Sequence, residues 1–61
     1  MAKRWYVVEF EEIMSDGRKR HVKEPILAGS ERAAQSSILR RKNTGIVWPA
    51  RPIPSPETIW N

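Results

Sequence analysis

A chain of 61 residues without cysteine has room for one domain, and neither a disulfide nor a thiolate-bound metal can reinforce it. Eleven Lys and Arg against seven Asp and Glu leave a formal charge of +4, which favours nucleic acid or an acidic protein surface as partner. So few residues do not readily enclose a ligand pocket of roughly 300 Å3 or more, so an enzyme is not expected.

The first element runs from Arg4 to Ile13, where the side chains alternate. Tyr6, Val8 and Phe10 share one face and read as the buried side of a strand. Trp5, Val7, Glu9, Glu11 and Ile13 share the other, which Trp5 and Val7 make apolar enough to be partly covered or used for binding. Ser15-Asp16-Gly17 is a turn signal, because glycine takes the positive φ angles of tight hairpins without a Cβ penalty. His21 to Ala28 is the returning strand, with Val22 and Ile26 toward the core. Pro25 donates no ladder hydrogen bond, which predicts a free edge there.

Ser30 is a favourable N-cap and Glu31 complements the helix dipole, so a helix is predicted from Glu31 to about Arg41. Ala34, Ser37, Ile38 and Arg41 fall along its inner side, with Ala33 and Leu39 flanking. Arg40, Arg41 and Lys42 suit the C-terminal end of the dipole, and Asn43-Thr44-Gly45 stops the helix. Ile46 to Ala50 reads as a third strand beside the first and parallel to it, as a strand–helix–strand crossover predicts. Pro52, Pro54 and Pro56 at alternate positions favour an extended tail. The predicted fold is therefore α+β: a three-stranded sheet with one helix on one face, in the order β-β-α-β. One domain over 1–51 is followed by a proline-rich tail over 52–61.

Chemistry-bearing residues are few. Arg18-Lys19-Arg20-His21 with Lys23 forms a basic hairpin tip, suited to phosphates or an acidic protein patch, or equally to a solvated loop that discourages edge pairing. Arg40-Arg41-Lys42 is better explained by the helix dipole than by a ligand. Glu9, Glu11 and Glu12 read as a solvated acidic face rather than an acid–base pair. His21 is the only histidine, and without cysteine or carboxylates spaced around it no metal site or cofactor is expected. Nothing matches a nucleophile with its base or a phosphate-cradling glycine loop. Trp5 and Trp48 read as core or sheet-face residues, whereas Trp60 in the tail is a candidate partner contact. No apolar run approaches the roughly 18–20 residues of a membrane span, and the basic N-terminus leads straight into a strand pattern, without the apolar h-region or small-residue cleavage site of a signal peptide. A cytoplasmic protein is the expectation.

Three resemblances carry further implications. Lys3-Arg4-Trp5-Tyr6-Val7-Val8 resembles the first strand of the NusG transcription-factor domain, over that stretch alone. Trp5-x-Val7 with Asp16-Gly17-Arg18-Lys19-Arg20 is similar to the first hairpin of the arm-binding domains of phage tyrosine integrases, which place three strands before the helix rather than two. The broadest likeness covers most of the chain. Lys3-Arg4-Trp5 through Val8-Glu9, Pro25-Ile26-Leu27-Ala28, and Gly45 through Arg51-Pro52 resemble the three strands of the small host RNA polymerase inhibitors of T-seven-like phages. That resemblance implies a phage-encoded protein acting in the cytoplasm of a bacterial host, binding the jaw of the polymerase. Its contacts would be a first-strand glutamate and two third-strand arginines. Glu9 and Arg51 occupy two of those positions; the third falls on Pro49, and the family's module is more acidic than this chain.

The expected function is thus a non-enzymatic inhibitor of host RNA polymerase, with Glu9 and Arg51 as principal contacts and Arg18, Arg20, Lys23 and Trp60 as further ones. The alternative is a nucleic-acid-binding module that lays the basic hairpin against phosphates. A third reading is an accessory protein that oligomerises by pairing strand edges.

Overall fold

Alternation between apolar and polar residues makes Arg4–Ile13 the central strand, β1. The structure, a computed structural model, describes residues 2–60, leaving out the side chains of Ile59 and Trp60. Tyr6, Val8 and Phe10 are buried as their alternation predicts, and Val7 on the opposite face is buried as well, at 4 % exposure. Strand β2 spans Lys19–Ala28 and pairs antiparallel with β1 in unbroken register from Arg4↔Ala28 to Ile13↔Lys19. It starts two residues earlier than His21, because the hairpin loop is short. The Gly17 N–H donates to the Met14 carbonyl at 2.9 Å, and Met14 N–H to the Arg18 carbonyl at 2.7 Å. Among the described residues Gly17 alone takes a positive φ, 87°, and Asp16 Oδ1 accepts from the Arg18 N–H at 3.0 Å. This is a three-residue loop whose left-handed glycine restores pairing, in place of a two-residue turn.

The helix α1 occupies Glu31–Arg41. Ser30 is its N-cap, the Oγ accepting from the Ala33 N–H at 3.1 Å; such a cap contributes about 1 kcal/mol. Arg40 and Arg41 each donate Nε to the carbonyl four residues back, Ser36 and Ser37, a second bond to carbonyls that the helix ladder also uses, and their charges suit the C-terminal end of the dipole. Ala34 and Ile38 are the helix residues fully buried against the sheet, while Ser37 is half-buried and Arg41 is exposed. The core is one layer between α1 and the sheet: Tyr6, Val8, Phe10, Ile26, Ala28, Ala34, Ile38 and Ala50, with Val22 and Val47 at its margin. The small side chain of Ala34 lets the helix approach closely, and Arg41 Nη2 ties the helix end to Glu24 of β2 at 3.3 Å.

The third strand lies beside β1 but runs antiparallel to it, with sheet order β2-β1-β3. The crossover through α1 joins β2 to β3, and those two are the parallel pair, with β1 between them. An antiparallel hairpin partner inserted between the crossover strands reverses the orientation predicted from the crossover rule. Its extent also differs from Ile46 to Ala50. Strand β3 is Thr44–Val47, the pairing breaks over Pro49 and Ala50, and it resumes as β4, Arg51–Pro52, against Tyr6 and Val7. Pro49 has no N–H to place in the ladder. Trp48 N–H to the Glu9 carbonyl at 2.9 Å and Ile53 N–H to the Trp5 carbonyl at 3.0 Å bracket the break. Beyond it the tail ends in a 3-10 turn, Pro56–Trp60, packed on β2 and β1. Among the described residues no helix is long and apolar enough to cross a membrane.

Candidate functional site

With α1 covering one face of the sheet, odd-numbered residues of β1 and their cross-strand partners form the other. Glu9 stands opposite Lys23, Glu11 opposite His21, Val7 opposite Pro25 on β2 and opposite Arg51 on β4. Side chains directly opposite in an antiparallel pair share a face and lie close enough to interact. Glu9 is the centre of this surface. Its Oε1 accepts from Arg51 Nη2 at 2.6 Å and its Oε2 contacts His21 Nε2 at 2.9 Å, while its own carbonyl accepts from Trp48. One carboxylate thereby ties the two flanking strands across the central one.

Trp48 completes the cluster. Its ring lies 5.2 Å from that of His21 with a tilt of 44°, and it is 38 % exposed. Gln35 Nε2 of α1 donates to the Trp48 carbonyl at 3.1 Å, fixing the backbone just before the proline break. Ile46 is exposed nearby on β3, and Glu11 Oε1 leans toward its N–H at 3.5 Å. Gly45 leaves the room for that carboxylate, since a Cβ there would stand 3.0 Å from Glu11 Oε1. The surface therefore presents an aromatic residue and a guanidinium around one carboxylate, the residue types most enriched where binding energy concentrates. Ion pairs this exposed contribute only about 0.2–1 kcal/mol to stability; their effect is to hold side chains in place.

Beside the cluster, Val7, Lys23, Arg51, Pro52, Ile53, Pro54 and Thr58 line an open cleft of about 320 Å3. The tail residues supply most of the apolar surface, Val7 being only 4 % exposed, and Lys23 and Arg51 are its cations. Lys23 has no ion-pair partner among the described residues.

The candidate contacts from the sequence divide. Glu9, Arg51 and Lys23 are brought together on the helix-free face. Arg20 is on the opposite face, where Nε and Nη2 both reach Glu12 Oε1 at 3.0 and 2.8 Å. Arg18 is in the turn and paired with Asp16 at 3.1 Å. The Trp60 side chain lies outside the described residues. Sequence reasoning left His21 among a run of basic residues and Trp48 among the sheet tryptophans. The pairing of Phe10 with Val47 is what turns Trp48 to the free face beside Glu9. Among the described residues no cluster of three or more His, Asp or Glu has the arrangement of a metal site.

The class defined by the fold is an α+β module, an antiparallel sheet of three to four strands under a single helix. Comparison with known proteins returned no matching family model, no matching curated protein and no matching solved structure.

Proposed function

We propose that this chain is a non-enzymatic binding protein, phage-encoded and acting in the bacterial cytoplasm, that docks the helix-free face of its sheet on host RNA polymerase and blocks transcription by occlusion. The observation that carries the reading is the Glu9–Arg51 pair. The resemblance to the phage inhibitors selects these two positions, 42 residues apart, and they meet at 2.6 Å on the exposed face of the sheet. Trp48 and His21 border the pair, giving a patch in which an aromatic ring and a guanidinium adjoin. The nucleic-acid alternative has less support, because Arg18 and Arg20 already hold carboxylates of the same hairpin. Phosphates would have to displace Asp16 and Glu12 from them.

The test combines binding of the purified chain to bacterial RNA polymerase with promoter-dependent transcription in vitro, before and after nuclease treatment. Saturable, nuclease-resistant binding with loss of transcript is expected, and Arg51→Glu should weaken both by at least tenfold, since it reverses the charge beside Glu9. Failure to bind polymerase refutes the target. Binding that disappears with nuclease or follows a steep salt dependence transfers the function to the nucleic-acid reading.

A further inference from the structure

The cleft next to the Glu9 cluster is built unlike a phosphate site. Phosphate cradles draw on runs of backbone N–H groups, but Pro52 and Pro54 have none to offer, and the Ile53 N–H is donated to Trp5. The Thr58 hydroxyl is also committed, to the Ser55 carbonyl at 2.7 Å. What remains is the side chains of Lys23 and Arg51, which share the lining with Val7, Pro52, Ile53 and Pro54. Arg51 spends one nitrogen on Glu9 and keeps further donors, since a guanidinium carries five. No carboxylate is among the described residues lining the cleft.

We propose that this cleft binds an aliphatic carboxylate of the kind carried by the last residue of a peptide, the carboxylate between Lys23 and Arg51 and the aliphatic group on Val7, Ile53 and the prolines. Charge sets the head group: two cations face the cleft, and a carboxylate is the anion that point-charge and forked donors both accept. Volume sets the body, because about 320 Å3 is at the small end of ligand sites and suits one residue-sized group. Proline walls add rigidity, so little ordering is needed on binding. Glu9 competes for Arg51, so its carboxylate tempers affinity at the site.

The site shares Arg51 with the polymerase reading but does not rest on it, and its test uses small probes so that either can fail alone. The full chain is titrated with N-acetyl-leucine and, separately, with the neutral N-acetyl-leucinamide, while amide resonances are followed by NMR. The carboxylate should shift Val7, Lys23, Ile53 and Thr58 saturably in the millimolar range, and the amide should bind at least tenfold more weakly. Lys23→Gln, at an exposed position, should lower carboxylate affinity about tenfold, the loss of one charge-assisted hydrogen bond. Glu9→Gln should raise it by releasing Arg51. Absence of saturable shifts, equal binding of the amide, or an unchanged affinity in Lys23→Gln would each overturn the assignment.

Discussion

The helix is held to the sheet by very little, and that makes it the sharpest place to test the fold. Ile38 is fully buried, whereas its neighbour Leu39 is 57 % exposed. Truncating a buried isoleucine to alanine costs about 2–5 kcal/mol, from lost transfer energy and the cavity left behind. Alanine is the better helix former, so a loss cannot come from intrinsic propensity. A domain this small rarely holds more than about 3–5 kcal/mol in reserve, and Ile38 is, with Phe10 and Val8, one of the three large side chains fully buried among the described residues. Ile38→Ala therefore removes half or more of the stability. Leu39→Ala should stay within about 0.5 kcal/mol, as surface substitutions do. Urea titration followed by circular dichroism reads the difference. With a slope of about 1 kcal/mol per molar, the Ile38→Ala midpoint should fall by about 2 M or more, up to about 5 M and complete loss of the folded state, and that of Leu39→Ala by less than about 0.5 M. Equal midpoints for the two variants would show that the helix does not dock through Ile38, and the layer described above would be wrong.

Two further outcomes follow from local geometry. Gly17→Ala should cost about 1–2 kcal/mol and lower the thermal midpoint by several degrees, because φ is +87° there although the space around it is open. Gly29→Ala, with no positive φ and nothing within 4 Å, should be close to neutral, and equal effects would refute the turn geometry. In the 3-10 turn, a hydrogen bond from the Ser55 side chain, and then one from its own backbone N–H, hold the Glu57 carboxyl below the ordinary carboxylate range. The folded value is the depressed one, so this support for the turn is present above the unfolded pKa and fades as pH falls through the folded one. Side-chain NMR titration should find a lower Glu57 midpoint in the native chain, rising in Ser55→Ala; an unmoved midpoint in that variant would exclude the Ser55 contact as its cause.

Much of the architecture is legible in short-range pattern. The period-two alternation of Tyr6, Val8 and Phe10 and the Ser30 cap depend on neighbours in the chain, and both are present in the structure. The inner side of the helix is less legible, because Arg41 has helical spacing with Ala34 and Ile38 but is drawn outward to Glu24. Strand orientation is not legible for a different reason. A crossover rule relates β2 to β3, and nothing local reveals that β1 lies between them. The candidate site was half legible. Glu9 and Arg51 were marked by resemblance and Lys23 by charge, while the partnership of His21 and Trp48 with Glu9 depends on register across three strands.

What the chain order alone determines here is which residues can be strand, turn or helix, since backbone preference and side-chain period act over a few positions. Its basic surplus is equally a property of composition. Only the tertiary structure decides where that surplus is spent. Packing α1 over the even-numbered side of β1 leaves the odd-numbered side free of the helix, covered at Val7 but exposed around Glu9, and antiparallel register then sets Arg51 and His21 on the two oxygens of Glu9 and turns Trp48 outward. Those contacts join residues 12 and 42 positions apart. They exist because a sheet brings distant segments within 5 Å of one another.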